Sequence, residues 1–113
     1  MSGLTTHVLD LARGRPAEGV TVKLARQSAP GQWAPVAERT TDADGRVRDF
    51  LGEVPLSTGR YLLTFGTGDY FRSRGVAAFH PEIPVLIEIG DPSQHYHVPL
   101  LLSPFGYSTY RGS

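Results

Sequence analysis

The sequence predicts an all-β fold, a β-sandwich of seven or eight strands with one short helix. Glycine and proline, 13 and 9 of the 113 residues, interrupt the chain about every ten residues, a spacing typical of many short strands. In "VTVKLAR", Val20, Val22 and Leu24 alternate with polar residues, which places their side chains on one face of a strand. Only "GDYFRSRG" resembles a helix. Strands with one apolar face pack as two sheets around a shared core.

The remaining elements follow from the same alternation. "RYLLTF" places Tyr61, Leu63 and Phe65 on one face, and "PVLIEI" repeats the pattern with Glu88 facing away. Glycine's access to positive φ and aspartate's bonds to nearby backbone make "DADG" and "GDPS" turns. The strand candidates are 4–11, 20–26, 33–41, 47–51, 60–65, 84–89, 95–102 and 106–111; the helix candidate is 68–75, and the turns are 42–45 and 90–93.

Length and composition exclude several classes of protein. The chain is long enough for one core, so we expect a single domain, 1–113. Its formal net charge is zero, which excludes the broad basic surface of a nucleic-acid-binding protein, and it has no cysteine for disulfide or thiolate chemistry. "MSGLTTHVLD" does not resemble a secretory signal, and no apolar run approaches the roughly 20 residues that span a bilayer. We therefore expect a soluble, cytoplasmic protein without a membrane or nucleic-acid partner.

Histidines are the first candidates for chemistry. On a strand, "HYH" places His95 and His97 on one face, and His7 lies in a separate strand candidate. Each alone is more often a surface or core histidine. If they converge, two chemistries are open: a three-histidine zinc site with a bound water, or direct action as acid, base or substrate ligand near neutral pH.

The segment "DADGRVRDF" has two interpretations. Asp42, Asp44 and Gly45 match the start of a calcium-binding loop, but the glutamate at its twelfth position is missing. A hairpin turn is the favoured interpretation. Arg46 would then leave the turn at the start of a strand, either as a solvated end or as a cation aimed into a pocket.

The terminal segment "GYSTY" resembles a serine nucleophile elbow only in part. Gly106 and Ser108 have the G-x-S spacing, but Tyr110 replaces the second glycine and no strand-to-helix turn follows. Serine nucleophile chemistry is therefore disfavoured. Tyrosine and arginine are favoured in protein interfaces, so Tyr107, Tyr110 and Arg111 suit a contact with another subunit.

Several of these motifs together resemble one family. The chain resembles the 5-hydroxyisourate hydrolases, the transthyretin-like enzymes of urate breakdown, from end to end. The matching segments are "THVLD", "GRPAEGV", "TTDADGR" and "YHVPLLLSPFGYSTYRGS", of which the terminal Y-R-G-S is the most specific. Thyroid-hormone-binding transthyretins share the fold but lack this tetrapeptide and the paired histidines. One departure is "AFHPEI", where His80 stands in place of the family's more common aromatic residue.

The resemblance implies the site residues. It implies catalytic roles for His7, Arg46 and His97, while His95 has no catalytic role in the family pattern. The terminal tetrapeptide is implied to contribute to substrate binding in the same pocket: Tyr110, Arg111, Gly112 and Ser113.

The resemblance also implies the reaction and the assembly. The reaction is hydrolysis of 5-hydroxyisourate to 2-oxo-4-hydroxy-4-carboxy-5-ureidoimidazoline by attack of water, without metal, cofactor or covalent intermediate. The implied fold is transthyretin-like, with two four-stranded antiparallel sheets and a short helix between the fifth and sixth strands. The implied assembly is a homotetramer, a dimer of dimers, with its active sites between dimers.

Two alternatives stay open from the sequence. One is a zinc-dependent hydrolase that uses His7, His95 and His97 as ligands. The other is a transthyretin-like ligand-binding protein without catalysis, because a fold alone does not determine a function. Bound zinc with chelator-sensitive activity would favour the first, and absence of turnover would favour the second.

Overall fold

The computed structural model describes residues 3–113, and they form two packed β-sheets with one helix. The sheet strands are β1 (Leu4–Asp10), β2 (Arg15–Pro16), β3 (Thr21–Ala29), β4 (Gln32–Thr40), β5 (Arg46–Val47), β6 (Gly59–Phe65), β7 (Ile83–Ile89), β8 (Tyr96–Ser103) and β9 (Gly106–Thr109), and the helix is α1 (Thr67–Ser73). The predicted two-sheet sandwich with one short helix is confirmed.

The first sheet has the order β2-β1-β8-β9, and β5 also pairs with β1. The second has the order β4-β3-β6-β7, and all its pairs are antiparallel. Within the first sheet one pair departs from the expected antiparallel arrangement: β1 and β8 run parallel, from Leu4 opposite Tyr96 to Asp10 opposite Leu102. This parallel pair brings the two ends of the sequence side by side.

The predicted apolar faces form the core. Val20, Val22 and Leu24 are at most 1% exposed, and the alternate residues of β6 are buried in the same way. In β7, Val85 and Ile89 are buried while Glu88 is exposed, as the alternation predicts. Residues i and i+2 of a strand share a face, so each sheet buries one face against the other.

Two predicted strands are shorter than expected. The candidate 106–111 reduces to β9, Gly106–Thr109. The candidate 47–51 reduces to β5, Arg46–Val47. The backbone N–H groups of Leu51 and Gly52 both donate to Oδ1 of Asp49, which turns the chain out of the sheet. The extra two-residue strand β2 means that α1 lies between the sixth and seventh strands and not between the fifth and sixth.

The helix is anchored to the first sheet by a buried carboxylate. Asp10, 1% exposed, ends β1 and accepts a hydrogen bond of 2.8 Å from the Tyr70 hydroxyl of α1. Its other oxygen accepts from the N–H groups of Ala12 and Arg13. Because a buried carboxylate is costly unless it is hydrogen-bonded, this contact fixes the position of the helix. None of the helices in residues 3–113 is both long and apolar enough to cross a membrane.

Candidate active site

The candidate active site is an open cleft of about 440 Å³ on the outer face of the first sheet. In β1 the inward residues are fully buried, whereas Thr5 and His7 are half-buried and face outward. The parallel register puts Thr5 directly opposite His97 of β8, which is half-buried on the same face. The cleft is lined by side chains that include Thr5, Arg46, Arg48, His95, His97 and Ser113.

A tight turn places Arg46 on the outer face of the first sheet. Gly45 has a φ of +73° and its carbonyl accepts a 2.7 Å hydrogen bond from the Val8 N–H of β1. β5 then pairs with β1 so that Arg46 lies opposite His7. Oδ1 of Asp42 accepts from the N–H groups of Asp44 and Arg46 and closes the turn.

This bonding decides between the two interpretations of "DADG". The Asp42 and Asp44 carboxylates both pair with Arg48, at 3.4 and 2.9 Å, and Asp42 also caps the turn. Carboxylates occupied in this way support the hairpin interpretation over the calcium loop. Arg46 differs from Arg48 in its ion pairing: within residues 3–113, no carboxylate forms an ion pair with the Arg46 guanidinium.

A threonine hydroxyl lies between two of the histidines. Oγ1 of Thr5 is 2.8 Å from Nδ1 of His97 and 3.1 Å from Nε2 of His95, both hydrogen-bond distances. The Nε2 atom of His97 has no hydrogen-bond partner in the part of the chain that the structure describes. His97 therefore has one nitrogen held by the protein and one left for water or substrate.

The environment favours neutral imidazoles. Partial burial lowers the pKa of His97 below its ordinary value of 6.5, and the positive charge of Arg46 lowers this pKa further, with smaller contributions from His7 and His95. Burial and Arg46 lower the pKa of His7 in the same way. A neutral imidazole at pH 7 can accept a proton, which a base requires.

The C-terminal tetrapeptide reaches the cleft through its last two residues. Gly112 N–H donates to the His97 carbonyl at 2.8 Å, and its α-carbon packs against the His97 ring. Ser113 lines the cleft. Tyr110 and Arg111 line a second cavity of about 500 Å³, which lies next to β7 and shares His97 with the cleft.

Arg111 holds the turn before β8. Its guanidinium stacks 4.2 Å from the centre of the Tyr96 ring, and it donates to Gln94 Oε1 at 2.9 Å and to the His95 carbonyl at 3.3 Å. The structure thus brings Arg46, His97 and Ser113 together at the cleft, with His7 opposite Arg46 on the same face. Arg111 secures the segment that carries the paired histidines.

Sequence reasoning missed Thr5. A threonine in a strand is common because its branched side chain fits a pleated surface, so nothing marked it as functional. The parallel register would have pointed to it, since that register sets Thr5 opposite His97. His80, the departure from the family pattern, lies away from the cleft and packs edge-on against Phe79 and Tyr107.

The zinc alternative is not favoured by this arrangement. Within residues 3–113, no group of three or more histidine, cysteine or acidic side chains is arranged to hold a metal ion. Nδ1 of His97 and Nε2 of His95 both point at the same threonine hydroxyl rather than at a common empty point.

Comparison with known proteins identifies the family. The sequence profile of the HIUase/Transthyretin family matches residues 4–112. The chain belongs to this family. A 5-hydroxyisourate hydrolase of Caulobacter vibrioides is 48% identical over 118 residues, which cover 100% of both chains.

Solved members of the HIUase/Transthyretin family share the fold. A 5-hydroxyisourate hydrolase of Klebsiella pneumoniae superimposes with a TM-score of 0.86 at 43% identity, over 97% of this chain and 98% of that one. Sea bream transthyretin in complex with thyroxine superimposes with a TM-score of 0.92 at 32% identity, over 97% and 94%. Because an enzyme and a hormone-binding protein both fit, the residues of the cleft must decide the function.

Proposed function

We propose that this protein is a hydrolase that opens the ring of 5-hydroxyisourate with water, giving 2-oxo-4-hydroxy-4-carboxy-5-ureidoimidazoline. The observation that carries the proposal is the placement of Arg46 and His97 at a cleft that fits a small molecule, with His7 opposite Arg46 on the same face of the sheet. The relatives named as 5-hydroxyisourate hydrolases over the full length of the chain support the same substrate.

His97 acts as the general base in this proposal. Its Nε2 atom takes a proton from water as the water oxygen bonds to the substrate carbonyl carbon. The ring must be neutral for this step, and burial together with Arg46 lowers the pKa of His97 in that direction. A positioned base contributes about 10²- to 10⁴-fold to the rate.

Arg46 stabilises the oxyanion that forms on the attacked carbonyl. Its guanidinium forms no ion pair with a carboxylate within residues 3–113, so its hydrogen-bond donors are available to the substrate. Removing such a donor typically costs about 3–4 kcal/mol. As the carbonyl re-forms, the C–N bond breaks and the departing nitrogen takes the proton that His97 removed from water, which returns His97 to its neutral form. We assign to His7, on the same face, the relay of this proton or the holding of the substrate.

The tetrapeptide Tyr110–Ser113 binds substrate in this proposal. Ser113 lines the same cleft as Arg46, and its hydroxyl is a polar group there. Tyr110 is exposed in a single chain and contributes through assembly. These roles remain predictions of the sequence resemblance.

We further propose a homotetramer, a dimer of dimers, in the cytoplasm, with each chain a single domain. Exposed apolar side chains support assembly: Leu11 after β1 and Phe105 before β9 are 54% and 72% exposed. They lie at one end of the first sheet, because Leu11 N–H bonds to the Leu102 carbonyl at the end of β8. Large exposed apolar groups of this kind are typical of a subunit contact.

An ultraviolet time course tests the activity. Urate and urate oxidase generate 5-hydroxyisourate in the cuvette, and the purified protein is added with and without EDTA. We expect decay faster than the spontaneous background and insensitive to EDTA. Activity lost in EDTA would support the zinc hydrolase, and no acceleration would support a binding protein.

The variant His97→Asn tests the assignment of the base in the same assay. We expect kcat to fall by about 10²-fold or more with the fold retained. The matched control is His80→Asn, because His80 is a half-buried histidine that packs on Phe79 and Tyr107 outside the cleft. Equal turnover of the His97 variant and wild type would contradict the assignment.

A further inference from the structure

We propose that Thr5 is a positioning residue for His97, and that a hydrogen-bonded chain from His97 through the Thr5 hydroxyl to His95 presents the unprotonated Nε2 of His97 to the cleft. This inference rests on the proposed function, because it assigns how the base of that reaction is held. It also gives His95 a role that the sequence left open.

The fold places the hydroxyl between the two rings. β1 and β8 run parallel with Thr5 opposite His97, so the hydroxyl and the ring extend from neighbouring strands on the same face. The contacts of 2.8 Å to Nδ1 of His97 and 3.1 Å to Nε2 of His95 are both within hydrogen-bond range. A β-branched side chain has few χ1 rotamers, so the hydroxyl is held with little loss of entropy.

The protons on the two rings and the hydroxyl determine which atom donates in each hydrogen bond. A base needs Nε2 of His97 without a proton, so the ring carries its proton on Nδ1 and donates it to the Thr5 oxygen. The hydroxyl has one proton of its own, which it donates to Nε2 of His95. When His97 takes a proton from water, both its nitrogens carry protons and the bond to Thr5 persists, so the ring keeps its orientation during the reaction.

The neighbouring threonine shows that this arrangement is not needed to join the strands. Thr6 faces the core and donates its hydroxyl to the Val98 carbonyl of β8, a purely structural bond. β1 and β8 already pair at seven positions, from Leu4 to Asp10. Thr5 faces the other way and bonds to imidazole rings, which points to a role in the site.

Several charged and titratable side chains surround His97. They include Arg46, His7 and His95, all of which disfavour a positive charge on the ring, and Arg48, which lines the same cleft. The hydrogen bond that Nδ1–H of His97 donates to the Thr5 hydroxyl oxygen acts in the opposite sense, because it is stronger when the ring is protonated and charged. Removing the hydroxyl therefore lowers this pKa and weakens the base.

The first experiment compares Thr5→Val with Thr5→Ser. The valine variant has the same shape without the hydroxyl, and we expect kcat to fall about 10- to 100-fold, the usual effect of removing a group that orients a functional histidine, with KM changed much less. The acid limb of kcat/KM moves to lower pH. The serine variant restores kcat because it restores the hydroxyl, and Thr64→Val, in β6 of the other sheet, behaves as wild type.

The second experiment tests the whole hydrogen-bonded chain with His95→Phe, a variant that keeps a planar ring at this position but removes its nitrogens. We expect this change to lower kcat in the wild-type background and to have no further effect in the Thr5→Val background, because His95 acts through Thr5. Equal effects of His95→Phe on kcat in both backgrounds would contradict the proposal that His95 acts through Thr5.

Nuclear magnetic resonance gives a readout that does not depend on turnover. In ¹⁵N-labelled wild type at neutral pH, we expect His97 to show a protonated Nδ1 and an unprotonated Nε2, and Thr5→Val to mix the two tautomers. A single unchanged tautomer in the variant, or wild-type kcat and pH profile, would overturn the role of Thr5. An inactive wild type that still shows the tautomer shift would overturn the proposed function and leave the positioning role in place.

Discussion

At the scale of single residues, the site depends on one arginine that has no carboxylate partner in residues 3–113. Arg46 has two roles in the proposed chemistry: it offers donors to an oxyanion, and its positive charge adds to burial in lowering the pKa of the two histidines. Two residues further on, Arg48 is neutralised by Asp42 and Asp44. The turn thus gives the two arginines of one segment different roles: Arg48 forms ion pairs within the turn, and Arg46 is available to the proposed chemistry.

The variant Arg46→Gln tests both effects of this arginine. We expect kcat to fall about 10²- to 10³-fold, because a donor to the oxyanion is lost. The pKa values of His7 and His97 rise toward 6.5 once the like charge is gone, so the acid limb of kcat/KM moves to higher pH. A pH–rate profile of the purified variant measures both.

The control is Arg60→Gln, an exposed arginine in β6 of the other sheet. It makes the same change of net charge, so it separates a local effect from a general one. An acid limb that stays in place in Arg46→Gln would contradict the electrostatic role of Arg46.

The variant Gly112→Ala tests the contact between the tail and His97. A β-carbon at position 112 would lie 2.6 Å from Cδ2 of His97, closer than side-chain carbons approach, so the ring or the tail must move. We expect kcat to fall at least about tenfold, since a small misplacement of a reacting group is costly, while the melting temperature changes little. Steady-state kinetics and thermal unfolding are measured together.

Gly106→Ala is the matched control, because a β-carbon at position 106 meets nothing within 4 Å. It changes a glycine of the same terminal segment without a clash. Full activity of Gly112→Ala would show that the tail does not constrain the His97 ring.

At the scale of elements, the turn of residues 42–45 is built into the first sheet. Gly45 has a φ of +73°, and a β-carbon there would lie 2.4 Å from the Val8 carbonyl oxygen of β1. The turn can therefore pack against β1 only with glycine at this position. This close approach sets Arg46 opposite His7.

The variants Gly45→Ala and Gly31→Ala separate two costs of a side chain at position 45: the strain of a positive φ and the close contact with the Val8 carbonyl. Both glycines have a φ of +73°, but only Gly45 is in close contact with backbone. We expect Gly31→Ala to lower the free energy of unfolding by about 1–2 kcal/mol and Gly45→Ala by about 3 kcal/mol or more, because overpacking adds to the strain. Urea unfolding measures both, and equal losses would show that the contact with Val8 is unimportant.

The elements were largely predictable from local pattern, and their pairing was not. Alternation identified the buried faces of β3 and β6, because burial of one face is encoded within each strand. The end of β5 at Val47 was missed because it depends on hydrogen bonds to Asp49 rather than on apolar pattern. The parallel pairing of β1 with β8 joins residues 92 positions apart, and no local signal encodes it.

The same distinction applies to the site. Family motifs indicated His7, Arg46 and His97, and the structure places them on one face. Thr5 could not be found in this way, because its role comes only from its position across from His97.

At the scale of the whole molecule, the proposed tetramer is tested by Phe105→Glu. Phe105 is 72% exposed in the single chain, and a charge there would oppose burial in a subunit contact. We expect wild type to show about four times the chain mass of 12.3 kDa in light scattering, and the variant to show a smaller assembly with reduced activity.

Val54→Glu is the control for this experiment. Val54 is 64% exposed, in the loop after β5 and away from the turn before β9. We expect it to keep the mass and activity of wild type. An unchanged mass in Phe105→Glu would show that this end of the sheet is not a subunit contact.

The parallel pair of β1 and β8 also has a consequence for the timing of synthesis. β1 is made early on the ribosome, whereas β8, its parallel neighbour, is made much later. Pairings of such long sequence separation form slowly, since a long loop must close before any contact forms. One edge of β1 therefore waits for β8, so a chain terminated before β8 lacks both the strand and the base of the proposed reaction.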